Sequence, residues 1–183
     1  MKVQATALPE VLLLEPRVFE DARGFFLESY NRRAFAEATG RDPVFVQDNH
    51  SRSARGTLRG LHYQVRQAQG KLVRVVRGAA FDVAVDLRRS SPRFGQWVGY
   101  ELTQDNKRQL WVPEGFAHGF LALEPQTEVL YKTTDFYAPE HECSLAWNDP
   151  HLAIAWPLGN MGEPVVSAKD RVAAGWDSAA KFD

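Results

Sequence analysis

The stretch Phe81-Asp82-Val83-Ala84-Val85-Asp86-Leu87 decides the fold class, because large apolar residues alternate strictly with small or acidic ones. Successive side chains of a β-strand point to opposite faces, so a period of two predicts a strand. A second alternating run covers residues 98–102, and further short apolar runs cover 72–76, 110–112, 119–123, 129–133 and 144–147. Many short strands separated by Gly, Pro and Asn turn signals predict an all-β sandwich or barrel. A parallel α/β fold would need a helix pattern between successive strands, and none is present.

Helix signals occur in only two places. Asn31 can cap a short helix over residues 32–39 that ends at Gly40. Ser167 and Asp170 form a capping-box pattern near the C-terminus. The sequence therefore predicts a β domain with a few short helices, and it leaves open whether the tail after Arg171 is helical.

The bulk properties restrict the class of protein. A chain of 183 residues without a repeat or linker predicts one domain over residues 1–183. The formal net charge of −1 argues against nucleic acid or an anionic membrane as a partner. The single Cys143 cannot form an intrachain disulfide and suits a reducing compartment. No signal-peptide pattern or run of about 20 apolar residues is present, so we expect a cytoplasmic location.

Basic charge is concentrated in one segment. Seven Lys and Arg residues and no acidic residue lie between residues 51 and 77. A solvated basic face is one interpretation. The run from Arg59 through His62 to Gln64 favours another, because guanidinium groups match phosphate oxygens in a bidentate manner. Regular pleating would place Arg59 and His62 on opposite faces, so a shared ligand requires a twist, a bulge or a reach around the strand edge.

His118 lies in the spacing Pro113-x-Gly115-x-x-His118, which resembles the second sequence motif of the cupin superfamily. Metal-binding cupins carry a His-x-His pair upstream, whereas the corresponding residues here are His62, Tyr63 and Gln64. Too few ligands remain for a tight metal site unless a carboxylate such as Asp82 joins them. We therefore expect no metal.

Seven runs of residues resemble dTDP-4-dehydrorhamnose 3,5-epimerases, and they stand in that family's order from about residue 19 to residue 170. The runs are Phe19-x-Asp21-x-Arg23-Gly24-Phe25-Phe26-x-Glu28, Phe45-Val46-Gln47-Asp48-Asn49-x-Ser51, Gly56-Thr57-Leu58-Arg59-Gly60-Leu61-His62-Tyr63-Gln64, Lys71-Leu72-Val73-Arg74-Val75, Pro113-x-Gly115-Phe116-Ala117-His118-Gly119-Phe120, Tyr131-Lys132 and Trp147-Asn148-Asp149-Pro150. So many multi-residue matches in one register identify the chain as a member of that family.

The resemblance implies a homodimeric cupin-type jelly roll with its active site inside the barrel. It implies inversion of dTDP-4-dehydro-6-deoxyglucose at C3 and C5, without metal or organic cofactor. The product would be a precursor of dTDP-L-rhamnose, for lipopolysaccharide or cell-wall polysaccharide.

The resemblance also implies roles for individual residues. His62 corresponds to the catalytic base, Tyr131 to the proton donor, Asp170 to the carboxylate paired with the histidine, and Lys71 to the lysine near the keto oxygen. Helix capping by Asp170 and simple packing of Tyr131 on a half-buried strand are the structural alternatives. The substrate-binding positions correspond to Arg23, Glu28, Gln47, Asp48, Asn49, Arg59, His118, Glu142 and Lys169, with Phe26 available to pack against the base or sugar.

Other functions remain open at this stage. A relative that inverts only C3 or only C5 of another dTDP-4-keto-deoxysugar would share the catalytic residues. A ketoisomerase on the same barrel, a metal-dependent cupin oxygenase and a sugar-binding cupin module are less well supported. The missing His-x-His pair argues against the oxygenase, and a pure binder has no need for His62, Lys71, Tyr131 and Asp170 together.

Overall fold

The structure, a computed structural model that describes residues 1–183, contains 13 strands and two short α-helices. The strands are β1 (Lys2–Ala5), β2 (Leu12–Glu15), β3 (Val18–Asp21), β4 (Gly24–Leu27), β5 (Gln47–Ser53), β6 (Leu58–Gln64), β7 (Lys71–Arg77), β8 (Ala79–Asp86), β9 (Trp97–Thr103), β10 (Gln109–Val112), β11 (Phe116–Ala122), β12 (Thr127–Thr133) and β13 (Glu142–Ser144). The helices are α1 (Arg32–Thr39) and α2 (Ala168–Arg171), and a 3₁₀ turn covers Pro139–His141.

Eleven of the strands form two sheets. The first sheet has the order β1-β2-β10-β7-β12-β5, and the second has the order β13-β6-β11-β8-β9. The remaining strands, β3 and β4, pair only with each other as a separate hairpin. Every pairing between these strands is antiparallel, and most neighbours are distant in sequence. The two sheets confirm the expected all-β jelly roll.

The main core lies between the two sheets. Val73 and Val129 from the first sheet and Ala84 and Phe120 from the second belong to one buried cluster. Burial of apolar surface between two sheet faces is the main stabilisation of such a sandwich, at about 25 cal/mol per Å². The cluster fills only part of the space between the sheets, and a cavity lined largely by polar side chains lies beside it.

The outer face of each sheet is also covered. On the first sheet, α1 buries Phe35 completely against Trp111, with ring centroids 5.6 Å apart. On the second sheet, the segment after β13 packs Leu145, Leu152 and Trp176 over the apolar side chains of β6 and β8. The C-terminal tail is therefore an ordered cover without a helix of its own.

The structure confirms most of the predicted elements. The helix over residues 32–39 is present, with the Asn31 side chain accepting from the Ala34 N–H and Gly40 in the left-handed conformation. The predicted strand over residues 144–147 is wrong in its bounds, because the strand covers Glu142–Ser144 and Leu145 packs on the outer face of the second sheet. No helix is long and apolar enough to cross a membrane.

Candidate active site

A cavity of about 500 Å³ opens between the two sheets. Residues of β6 and β11 from the second sheet and of β7 and β12 from the first line its walls, together with α2 and the segment that leads into it. Seven of the residues singled out in the sequence line this cavity: Arg59, His62, Lys71, His118, Tyr131, Glu142 and Asp170. The fold therefore gathers residues that are more than 100 positions apart in the chain.

His62 and Asp170 form a tight pair in the cavity wall. The His62 Nε2 atom lies 2.5 Å from Asp170 Oδ1, and Asp170 is almost fully buried. Burial alone would raise the pKa of the Asp170 carboxyl, but hydrogen bonds from His62, Ser167 and the Gly60 backbone outweigh it and hold the pKa below its usual value. Asp170 is thus a carboxylate that can only accept, so His62 Nε2 carries the hydrogen and Nδ1 is the free basic nitrogen.

Asp170 reaches His62 because of the way α2 begins. The Ser167 hydroxyl caps this helix by accepting a hydrogen bond from the Asp170 N–H at 3.1 Å. The capping pattern and the pairing with His62 are therefore compatible, since the cap engages the backbone of Asp170 and the pair engages its side chain.

Lys71 is a buried cation beside this pair. Its Nζ donates to the His62 carbonyl oxygen at 3.1 Å, and only 6% of the residue is exposed. Burial lowers the pKa of Lys71 to about 8, against the opposing effect of the negative charges of Asp82 and Glu142. At neutral pH the ammonium is therefore mostly charged, with donors available for an oxygen atom of a bound ligand.

Tyr131 lies on β12 in the first sheet, whereas His62 lies on β6 in the second. Burial raises the pKa of the Tyr131 phenol; the cationic Arg59 lowers it, and the negative charge of Glu142 raises it further. The phenol consequently keeps its proton at neutral pH. The cavity thus has a basic nitrogen on one wall and a phenolic acid on another.

His118 forms a second histidine–carboxylate pair deeper in the barrel. Its Nε2 lies 2.9 Å from Asp82 Oδ1, and both residues are buried. The His118 ring is 6.4 Å from the Tyr131 ring. Asp82 belongs to the alternating stretch that predicted β8, but its polar side chain points into the barrel rather than into solvent.

A bulge explains how Arg59 and His62 reach the same cavity. In the pairing of β6 with β11, His62 lies opposite His118 and Arg59 lies opposite Phe120, so three steps on β6 match two on β11. One extra residue reverses the alternation, as β-bulges do. Gly60 makes this possible, because a Cβ atom there would lie 2.6 Å from the Gly119 Cα.

Lys169 and Tyr137 both bind the side chain of Glu142. Lys169 Nζ is 2.5 Å from Glu142 Oε2, and the Tyr137 hydroxyl donates to the same oxygen at 2.8 Å. Burial raises the pKa of Glu142, but these two hydrogen bonds outweigh it and keep the pKa below its usual value. Glu142 and Tyr137 line the cavity, and Lys169 joins the site through Glu142.

The first sheet's edge strand β5 carries three more of the predicted binding residues. Gln47 donates to Asn49 Oδ1 at 3.0 Å and accepts from the Tyr137 backbone N–H at 3.0 Å. Asp48 pairs with Lys132 at 2.9 Å and lines, with Asn49 and Tyr131, a smaller neighbouring cavity of about 160 Å³. These residues therefore flank the main cavity.

Three predicted binding residues are not brought to the cavity of their own chain. Arg23 and Phe26 lie on the β3–β4 hairpin, where Phe26 is 67% exposed and Arg23 pairs with Asp21. Glu28 follows the hairpin and accepts a hydrogen bond from Asn31. None of the three lines the main cavity.

Sequence reasoning missed the roles of two residues of the site: Asp82, which lies behind His118, and Tyr137, which lines the cavity. Asp82 was considered only as a metal ligand, and its pairing with His118 depends on the register of β8 and β11. Tyr137 stands in a loop without periodicity, and only its hydrogen bond to Glu142 marks it. No group of three or more His, Cys, Asp or Glu side chains has the arrangement needed to hold a metal ion.

Comparisons with known proteins find relatives over nearly the whole chain. The sequence model of a family described as dTDP-4-dehydrorhamnose 3,5-epimerase matches residues 5–178. The chain is 66% identical over 171 residues to the dTDP-4-dehydrorhamnose 3,5-epimerase of Pseudomonas aeruginosa, and the match covers 93% of each protein.

Two solved structures are similar over nearly the whole chain. A dTDP-6-deoxy-D-glucose-3,5-epimerase from Legionella pneumophila, in complex with dTDP-4-keto-L-rhamnose, has a TM-score of 0.91 and 51% identity, covering 94% of this chain and 90% of that one. A 3'-monoepimerase from Streptomyces bikiniensis, in complex with dTDP-quinovose, has a TM-score of 0.87 and 34% identity, covering 96% and 87%.

Proposed function

Because the chain belongs to the dTDP-4-dehydrorhamnose 3,5-epimerase family, we propose that its central cavity inverts dTDP-4-dehydro-6-deoxy-D-glucose at C3 and C5, with His62 as the base. The product is dTDP-4-dehydro-L-rhamnose, and the protein is an isomerase. One observation carries the proposal of residue roles. His62, paired with the buried carboxylate of Asp170, and the phenol of Tyr131 face one cavity from two different sheets.

The reaction needs a base and an acid on opposite sides of the sugar ring. C3 and C5 both neighbour the C4 ketone, so loss of either proton gives an enolate whose charge is delocalised onto the keto oxygen. Return of a proton from the opposite face inverts the carbon. A single group on one face would return the proton to the side from which it came.

His62 removes the proton through Nδ1. Its Nε2–H is held by Asp170, so the ring is fixed in one tautomer and the imidazolium that forms is stabilised by a carboxylate that is already ionised. Histidine is the side chain most often used as a general base, because the neutral imidazole has one nitrogen free to accept a proton.

Tyr131 returns a proton from the other wall. Its phenol is protonated because burial raises its pKa, and the nearby Arg59 guanidinium limits the cost of the phenolate that remains after transfer. Solvent then reprotonates Tyr131 and removes the proton from His62. The two groups regain their starting states without a cofactor taking part in these proton transfers.

Lys71 stabilises the charge that develops on the keto oxygen. Its ammonium has three donors, and the His62 carbonyl accepts one of them. A buried cation fixed before the reaction gives electrostatic stabilisation without reorganisation, and removing one such donor typically costs about 3 kcal/mol.

Arg59, His118, Glu142 and Lys169 bind the rest of the substrate. Arg59 holds diphosphate oxygens, because its guanidinium is oriented by Ser53 at 3.0 Å and has no carboxylate partner. Gln47, Asp48 and Asn49 contribute from the flanking strand β5.

Arg23, Phe26 and Glu28 serve the cavity of a second copy in a homodimer. The exposed aromatic side chains of the β3–β4 hairpin support this part of the proposal, because Phe19, Phe25 and Phe26 are about half exposed or more in one chain. A hairpin that pairs with neither sheet is free to reach a neighbouring subunit. Arg23, which the family resemblance implies to be a substrate-binding residue, would then bind substrate in the partner's cavity and not in the cavity of its own chain.

Mixed dimers test this arrangement. Arg23→Ala and His62→Ala are each expected to be defective alone. If the hairpin serves the partner, a mixed dimer has one cavity with both Arg23 and His62 intact, and activity returns. If Arg23 serves its own chain, every cavity of the mixed dimer lacks one of the two residues, and no activity returns.

We also propose that residues 1–183 fold as one domain, in the cytoplasm, and that the product supplies lipopolysaccharide or cell-wall polysaccharide. The shared core between both sheets supports the single domain. A single cooperative unfolding transition and recovery of the protein in the cytoplasmic fraction would test the first two proposals.

Deuterium exchange tests the proposed reaction directly. The parent protein and dTDP-4-dehydro-6-deoxyglucose are mixed in deuterated water, and the product is examined by NMR. Deuterium at both C3 and C5 supports the proposal, and deuterium at one carbon only would make the protein a mono-epimerase. No exchange at either carbon would rule out this substrate.

A further inference from the structure

The segment Thr134–Ala138 has no regular secondary structure, yet it carries Tyr137 into the wall of the cavity. It connects β12 to the 3₁₀ turn at Pro139–His141. Backbone groups outside helices and strands need other partners, and a segment without them would sample many conformations.

Three glutamine side chains supply them. Gln69 donates to the Asp135 carbonyl at 2.9 Å, and Gln64 donates to the Phe136 carbonyl at 3.2 Å. The Tyr137 N–H donates to Gln47 Oε1 at 3.0 Å.

Gln64 makes two further hydrogen bonds to the backbone here. The Ala138 N–H donates to Gln64 Oε1 at 2.9 Å, and the Gln64 amide donates to the Gln67 carbonyl at 2.7 Å. Each residue from 135 to 138 thus has a backbone group bound to a glutamine side chain.

We propose that Gln47, Gln64 and Gln69 form a glutamine clamp that positions Tyr137 and, through its hydroxyl, Glu142 for substrate binding. The three residues come from β5 in the first sheet, β6 in the second sheet and the connection between β6 and β7. The clamp therefore ties the segment to both walls of the cavity. This inference rests on the proposed function, since it assigns the clamp to the binding of that substrate.

Gln64 is the centre of the clamp. Only 3% of the residue is exposed, and its amide satisfies three backbone groups. It lies two residues after His62 on the same strand, so the strand that holds the base also holds the segment that carries Tyr137. Gln64 lines the cavity, but its side-chain NH2 donates to two backbone carbonyls, so we assign it a positioning role.

The clamp predicts an effect on binding rather than on the chemical step. If the segment must become ordered when the substrate binds, the cost of ordering weakens binding of the substrate and of the transition state equally. KM therefore rises and kcat stays nearly constant. For Gln64→Met, which removes all three bonds, we expect KM to rise about tenfold while kcat stays within about threefold.

Two further variants make the test specific. Gln69→Ala removes one bond to the segment, and Gln104→Ala removes one bond to the Gly78 N–H on a remote turn. Gln69→Ala should raise KM by about threefold, and Gln104→Ala should leave both constants unchanged. If Gln64→Met does not fold, Gln69→Ala against Gln104→Ala decides the question.

Hydrogen exchange provides a readout that does not depend on the reaction. In the free protein, Gln64→Met should speed exchange of the Tyr137 and Ala138 amides by about tenfold, with the amides of β8 unchanged. Unchanged KM in both clamp variants, or a fall in kcat at constant KM, would overturn the proposal. Failure of the parent to turn over substrate would instead refute the proposed function, whatever the exchange rates are.

Discussion

Replacement of Asp170 by Asn isolates the contribution of this carboxylate to His62, the proposed base. The amide has the same shape and leaves the Ser167 cap of α2 in place, but it removes the negative charge 2.5 Å from His62 Nε2. Asp170 is only 3% exposed, so solvent cannot replace this charge. A hydrogen bond to a charged group contributes about 1.5–3 kcal/mol, and burial places this bond at the upper end. We therefore expect kcat to fall about 100-fold, because 1.4 kcal/mol corresponds to a factor of ten.

The assay is steady-state turnover of dTDP-4-dehydro-6-deoxyglucose at saturating concentration, with the product consumed by a reductase. Ser167→Ala is the control, because it weakens the cap of α2 by about 1 kcal/mol but keeps the carboxylate. Asp170→Asn should lose at least about ten times more kcat than Ser167→Ala. A kcat within about threefold of the parent, or equal losses in both variants, would refute the assigned role of Asp170.

The same substitution has a stability consequence with a defined sign. The pKa of Asp170 is held below its usual value in the folded protein. Its carboxylate therefore contributes stability above the unfolded-state pKa of about 4, and this contribution is lost as pH falls through the folded-state pKa. The difference in unfolding free energy between the parent and Asp170→Asn should be largest near neutral pH and should shrink in acid.

Three further predictions concern other parts of the site. Burial lowers the pKa of Lys71 to about 8, so we expect kcat of the parent to fall as pH rises through about 8. Lys71→Arg should retain partial activity, and its kcat should no longer fall in this pH range. The same alkaline fall in Lys71→Arg would exclude Lys71 as its source. Gly60→Ala places a Cβ atom 2.6 Å from the facing strand, whereas Gly24→Ala, at a similar positive φ, meets nothing within 4 Å. In chemical denaturation, the loss of unfolding free energy should be about 1–3 kcal/mol larger for Gly60→Ala than for Gly24→Ala. Equal losses would contradict the close approach of the two strands. Arg59→Ala should weaken binding of dTDP in calorimetry by about tenfold or more. Arg77→Ala, at an exposed strand end, serves as the control. Equal dTDP affinities of the two variants would show that Arg59 does not bind the diphosphate.

The strands with an apolar period of two were predictable from the sequence. The alternation around Val83 and Val85 gave β8, and the signals at Asn31 and Gly40 gave both ends of α1. The edge strand β5 (Gln47–Ser53) was not predicted as a strand, because every residue in it is polar. Ser51 lines the main cavity and Asn49 the smaller one, whereas Asp48, His50 and Arg52 are exposed, so neither face needed to be apolar.

The site was predictable where residues matched the family, and less so where it depends on backbone geometry. His62, Lys71, Tyr131 and Asp170 were assigned roles by resemblance, and the structure places all four around one cavity. The sequence could not show how Arg59 joins them. A one-residue bulge changes the face of a side chain, and the same residues without the bulge would give the opposite prediction.

The hairpin residues illustrate a different limit. Arg23 and Phe26 stand in a run that matches the family, but a single chain does not bring them to its own cavity. Position in the sequence does not reveal which subunit a side chain serves. The proposed homodimer would answer that question, and the mixed-dimer experiment tests it.

Turnover by the parent protein compared with His62→Ala tests the central claim most directly. The assay couples dTDP-4-dehydro-6-deoxyglucose to the reductase of the next step and follows NADPH consumption, with Tyr131→Phe measured beside it. We predict rapid turnover by the parent, a loss of at least about 1,000-fold in His62→Ala, and a loss of product in Tyr131→Phe. A His62→Ala protein that turns over substrate at close to the parent rate would contradict the account.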